Sequence, residues 1–228
     1  MEELQNPEFW VNLLKIIWIN IILSGDNAVV IALAARTLPA HQQRMAVLFG
    51  SGAAVVMRIA LTVVAVKLLE MSYLQIIGGV LLLWIGVQLL GDEGEGEDHG
   101  KGTGGLMAAV RTILIADLVM SLDNVIAVAA AAKGSYMLLM IGLAISIPLV
   151  IFGATLMIKL MERFPVIVTA GATLIGWVAG ETIASDNVLK PMLEGQGWLH
   201  YVAAAAGAVF VLGVAKLLKA RAKGQSTG

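Results

Sequence analysis

The sequence predicts an all-α membrane protein: seven transmembrane helices, formed by two inverted three-helix repeats and a C-terminal helix. Three observations carry that prediction. The chain has 228 residues, 59% of them hydrophobic and 14% charged, whereas a soluble domain carries roughly 25% charge, and its mean hydropathy is +0.88. Seven apolar stretches reach the ~20 residues needed to cross a hydrocarbon core. The Asp-Asn pair of "SGDNAVVIA" also returns, from Asp26–Asn27 to Asp123–Asn124 in "SLDNVIAVA".

In chain order, spans at 9–35, 44–68 and 72–90 make a first repeat over 9–90. The segment 91–105, "GDEGEGEDHGKGTGG", reads as an acidic, glycine-rich cytoplasmic linker. Spans at 106–132, 136–160 and 164–184 make a second repeat over 106–185, and 198–219 is the seventh helix of a single membrane domain spanning 1–228. Pro148 marks a kink in the fifth span. Trp10, Trp84 and Trp198 suit interfacial belts, and Trp18 and Trp177 are expected to line the bundle interior. Patches such as "FGSGAA" (49–54) and "AVAAAA" (127–132) favour close helix packing.

Several classes are excluded or set aside. There is no cysteine, hence no disulfide, thiolate zinc site or cysteine nucleophile. A net charge of −1 without a basic stripe points to no nucleic acid. "MEELQNPEFW" lacks a basic start and a cleavage site, so the first apolar run is expected to be retained. His99 and the acids of 92–98 read as a solvated linker rather than a metal site.

Positive charge sets the orientation. With the N-terminus outside, Arg36, Arg44, Lys101, Arg111, Lys159, Arg163, Lys216, Lys219, Arg221 and Lys223 face the cytoplasm. The opposite side receives Lys67, Lys133 and Lys190, while Lys15 and Arg58 lie within spans. The expected setting is a bacterial inner membrane, multi-pass, with the C-terminus cytoplasmic.

The repeat extends beyond the Asp-Asn pairs. A shift of 97 lays 20–36 on 117–133, so that Asn20 meets Asp117, Ser24 meets Ser121 and Arg36 meets Lys133. A shift of 92 then lays Gly50 on Gly142, "KLLE" (67–70) on "KLME" (159–162), and Gly79 on Gly171. Three helices per copy is an odd number, so the second copy enters the membrane in the opposite sense. Chance alignment of apolar helices would match alanines and leucines; it does not pair Asp-Asn with Asp-Asn. Inverted repeats are a plan of secondary transporters, with sites near the midplane between the halves.

The polar residues inside the spans define the candidate site. Asp26 and Asp123 fall well inside the hydrocarbon, where an ionised aspartate costs at least ~2.5–3.5 kcal/mol. Asn20, Ser24 and Asn27 share one helical face at i, i+4, i+7, as do Asp117, Ser121 and Asn124 on the fourth helix. Gly25 beside Asp26 permits local unwinding. Facing stripes of carboxylate and amide oxygen suit a hard divalent cation such as Mn²⁺, Mg²⁺ or Ca²⁺. Ser24 and Ser121 are explained equally well by helix–helix hydrogen bonds. Arg58 is a buried base whose partner is either Asp117, as a structural salt bridge, or one of the central aspartates. Glu181 is a gate, a proton site or an interfacial carboxylate.

With "SGDNAVVIA", "SLDNVIAVA", "GWVAGE" and the seven-helix pattern in view, the chain resembles the TerC family of integral membrane proteins. Within it, the chain resembles the short bacterial branch labelled YjbE-like metal transporters. The likeness runs from about residue 9 to residue 220. It implies that Asp26, Asn27, Asp123 and Asn124 are the motif positions and Asp117 a further ligand. It also implies manganese(II) export, whereas residue spacing supplies only an oxygen-lined site. The resulting expectation is a divalent cation transporter working by alternating access, not an enzyme. The cation is substrate, with no prosthetic group. Membrane lipid and the cation are the expected partners, and a homodimer is left open. A scaffold assisting metal loading of exported proteins is the alternative. An intramembrane metal-dependent enzyme lacks a nucleophile–base constellation, and an amino-acid exporter lacks a complement for a substrate carboxylate.

Overall fold

Apolar runs punctuated by glycine, proline and charge become helices along the chain. The structure is a computed structural model that describes residues 7–23, 25–69, 71–91, 105–132, 136–193 and 196–225. Among these, the regular elements are α1 (Pro7–Leu23), α2 (Gly25–Ala35), α3 (Ala40–Leu69), α4 (Leu74–Gly91), α5 (Leu106–Ala132), α6 (Tyr136–Arg163), α7 (Val166–Ala184), α8 (Lys190–Leu193) and α9 (Trp198–Gln225). Most of the 91–105 linker, including His99, lies outside the described residues.

Five stretches among the described residues are long and apolar enough to cross a membrane: Ala40–Thr62, Leu74–Gly91, Met140–Arg163, Val166–Ala184 and Trp198–Ala220. The described residues of the first expected span are helical on both sides of residue 24, as α1 and α2, with apolar parts Phe9–Trp18 and Gly25–Ala35. Glycine disfavours a helix interior by about 1 kcal/mol, and a short acidic side chain suits a helix start. Gly25 and Asp26 stand in the first turn of α2. By contrast α5 is one helix of 27 residues, long enough to cross, although Arg111, Asp117 and Asp123 interrupt its apolar character. α6 runs on through Pro148.

Packing determines which polar residues meet. α3 lies along α5, α6 lies along both α1 and α2, and α4 lies along α7, while α9 covers α7 and α4. α2 also touches α5 and α7. The main core joins Leu33, Leu82, Ile85, Ile113, Ile175 and Val211. A smaller one joins Phe9, Leu13 and Ile16 of α1 to Val55 and Leu143. Glycines set the closest approaches, as expected where lipid rather than water surrounds a bundle. A Cβ on Gly50 would stand 2.8 Å from Ile113 Cδ1, and one on Gly142 would collide with Ile16. Between α7 and α9 the backbones themselves touch: Gly180 meets Ala203 O, and Gly207 meets Gly176 O.

The outer surface is apolar, with Phe152 and Val209 each 69% exposed. Trp10, Trp84 and Trp198 are exposed on it. So are Trp18 and Trp177, correcting their expected place in the interior. Beside Trp177 the seam of α7 with α9 closes through Gly176, Gly180 and Gly207, which leaves no space there for an indole.

Candidate cation site

The site starts where α2 starts. Asp26 occupies the first turn of α2, and its Oδ1 accepts a hydrogen bond from the Asn27 backbone N–H at 2.7 Å. Asp26 is half-buried, and Asn27 is 3% exposed. Because α2 packs against α5, α6 and α7, this carboxylate–amide pair enters the bundle among helices from the second half of the chain. Asn124 of α5 is half-buried. The side chains of Asn20 and Asp123, and the whole of Ser24, lie outside the described residues.

The second polar centre is closed on itself. Arg58 of α3 and Asp117 of α5 are 5% and 6% exposed, and Ser121 is fully buried. Arg58 Nη2 donates to Asp117 Oδ1 at 2.7 Å, and Arg58 Nε donates to Ser121 Oγ at 3.1 Å. Ser121 Oγ then donates to Asp117 Oδ2 at 3.2 Å. Each carboxylate oxygen of Asp117 therefore has a donor, and the charge is neutralised in place. Of the two partners the sequence allows Arg58, the structure selects Asp117. The helices that carry the pair, α3 and α5, both pack against α2, which carries Asp26.

No three His, Cys, Asp or Glu side chains among the described residues could hold a metal ion together. The carboxylates of the sequence-predicted set that are described are Asp26 and Asp117. Glu181 sits apart, exposed in the last turn of α7.

Sequence reasoning missed Asp186. It lies just beyond α7, fully buried, and receives four backbone N–H groups. Tyr73 and Val188 donate to Oδ1 at 3.1 and 3.0 Å. Gln75 and Ile76 donate to Oδ2 at 3.1 and 3.3 Å. Asp186 thus caps the start of α4 from the end of α7, against a turn in which Tyr73 takes a positive φ of 68°. Burial pushes its carboxyl upward, but the four N–H donors outweigh burial and hold it below the usual carboxylate range. The only sequence signal was the short turn "SDN" after an apolar helix, and that signals the Val188 bond alone.

With this geometry in place, comparison with known proteins is informative. The chain matches the integral membrane protein TerC family over residues 5–223. It belongs to the TerC family. This TerC-family chain is 45% identical over 190 residues to the uncharacterized membrane protein YjbE of Bacillus subtilis, covering 83% of this chain and 87% of YjbE. It is 28% identical over 188 residues to the uncharacterized membrane protein YkoY of the same organism, covering 74% of this chain and 58% of YkoY. The inner membrane protein YoaE of Escherichia coli, of the UPF0053 group, is 33% identical over 145 residues, which are 55% of this TerC-family chain and 28% of YoaE. No solved structure matches the chain.

Proposed function

We propose that this TerC-family protein is a divalent cation transporter of the bacterial inner membrane, with manganese(II) export as its activity. The observation that carries the reading is Asp26–Asn27, set at the start of a helix inside an apolar bundle and packed on the helices of the second half. Asp123–Asn124 of α5 is its counterpart in sequence. Arg58 already neutralises Asp117. Asp26 and Asp123 then remain, and two negative charges match one divalent ion. Aspartate and asparagine offer only oxygen, which suits Mn²⁺, Mg²⁺ or Ca²⁺. Manganese and the outward direction follow from the family resemblance.

Packing supports two inverted repeats, 9–90 and 106–185, with 198–219 outside the symmetry. The shift of 92 that carries Gly50 to Gly142 and the shift of 97 that carries Ile16 to Ile113 relate two contacts, Gly50 with Ile113 and Gly142 with Ile16. The first joins α3 to α5 and the second joins α6 to α1, so each contact crosses between the halves. Such an arrangement allows the halves to rock about a midplane site and open it alternately. In this reading the N-terminus is outside and the C-terminus cytoplasmic, supported by the excess of Lys and Arg on one side.

The test is uptake of radiolabelled Mn²⁺ into inside-out vesicles. Asp26→Asn and Asp123→Asn should each reduce uptake at least about tenfold, since each removes one of two charges facing the ion. Wild-type rates in both variants would exclude the central site.

A further inference from the structure

The Arg58–Asp117 pair occurs in only one of the two matched interfaces. Under the shifts that pair Gly50 with Gly142 and Ile16 with Ile113, Arg58 corresponds to Val150 and Asp117 to Asn20. The base and its carboxylate are thus present together between α3 and α5, and absent together between α6 and α1. The Asp-Asn motif behaves otherwise, standing in both halves. A direct ligand of a symmetric site would be expected in both copies. A residue whose occurrence follows that of an arginine instead matches the arginine.

Hydrogen bonding agrees. Both Asp117 oxygens are held, one by the Arg58 guanidinium and one by the Ser121 hydroxyl, which itself accepts from Arg58. Coordinating an ion through Asp117 would set a second cation on a carboxylate whose charge the Arg58 guanidinium already neutralises. Left closed, the ring contributes no net charge.

We propose that Asp117 is not a ligand of the transported ion, and that Arg58 and Asp117 together form a positioning, charge-balancing pair that fixes the net charge facing the ion at −2. This deepens the cation-transport reading and rests on it. Selectivity for a divalent ion then depends on the pair remaining intact. Losing Asp117 alone leaves Arg58 uncompensated, and the site's net charge becomes −1. Losing Arg58 alone makes it −3. Losing both restores −2.

The experiment is calorimetric titration of Mn²⁺ into the purified full-length protein in detergent, with a trivalent lanthanide titrated in parallel. Asp117→Asn should weaken Mn²⁺ binding about tenfold, the scale of one unit charge acting at short range through protein. The double variant R58Q/D117N should recover to within about threefold of wild type. R58Q, where it folds, should shift the ratio of lanthanide to Mn²⁺ affinity upward by about tenfold. R58K, which keeps the charge, should leave that ratio unchanged and serves as the arm for a poorly folding R58Q. A double variant as weak as Asp117→Asn would mean that Asp117 binds the ion directly and would overturn the proposal, as would wild-type affinity in Asp117→Asn. Failure of the cation-transport reading itself is distinguishable, because the wild-type protein would then bind no Mn²⁺.

Discussion

The interfaces of α3 with α5 and of α6 with α1 are built to the same packing plan and different electrostatics. Each brings a glycine of one helix against an isoleucine of the other, Gly50 on Ile113 and Gly142 on Ile16. The first also buries an ion pair, Arg58 with Asp117; the second has Val150 and Asn20 at the corresponding positions. The difference separates two jobs that a membrane interface performs. Close approach needs only small residues opposite large ones, and both interfaces supply them. A buried charge needs its counter-charge, so it is gained or lost as a pair.

The largest effect should come from breaking the ion pair on one side only. Arg58→Gln leaves the Asp117 carboxylate buried without its cation, a loss of about 3–5 kcal/mol, most of which R58Q/D117N should recover. Val150→Ala, the corresponding truncation in the other interface, should cost on the order of 1 kcal/mol. Chaotrope unfolding in detergent measures both. Equal losses at Arg58 and Val150 would break the contrast between the interfaces.

A smaller effect sharpens the shared part of the plan. Gly50→Ala and Gly142→Ala each introduce a Cβ into an isoleucine, and overpacking of this kind costs about 1–3 kcal/mol. Ile113→Val, which removes the Cδ1 in the way, should ease the first, and Ile16→Leu, which removes the β-branch Cγ2 in the way, should ease the second. Crossed combinations should relieve neither, and relief by a crossed pair would show that the two contacts are not equivalent. At Gly180 the obstacle is the Ala203 carbonyl, so Gly180→Ala should resist rescue by any side-chain change on α9.

Much of this organisation was legible in the sequence because helix formation in an apolar chain is local. Runs of leucine, isoleucine and valine specify helices. The matched Asp26–Asn27 and Asp123–Asn124 pairs were legible for the same reason, being short motifs at fixed spacing. What the sequence left open was pairing across space. Arg58 had several carboxylates at similar depth, and only the packing of α3 on α5 selects Asp117. Trp18 and Trp177 were misplaced because an apolar helix with little polar face gives no signal for which side faces lipid. Asp186 was missed because three of its four donors stand 110–113 residues away; no local pattern encodes a helix cap supplied from another helix's end.

That cap extends the comparison to α4 and α7, whose first residues, Leu74 and Val166, are also related by the shift of 92. α4 begins under Asp186, whereas α7 has Pro165 at its N-cap and no side-chain cap. Packing is again shared and the polar anchor is again on one side. Asp186→Ala should cost about 0.5–2 kcal/mol, the range for losing a helix cap. The pH dependence has a definite sign. The folded carboxyl titrates below its ordinary value, because four N–H donors outweigh burial. Its stabilisation is therefore fully present above the unfolded value of about 3.9, and is lost as pH falls through the lower folded value. Thermal unfolding of wild type and Asp186→Asn should converge as the pH is lowered through that window and remain separated above it. A gap that stays constant with pH would show that the N–H groups at the start of α4 gain nothing from the charge, and the contrast with α7 would reduce to shape alone.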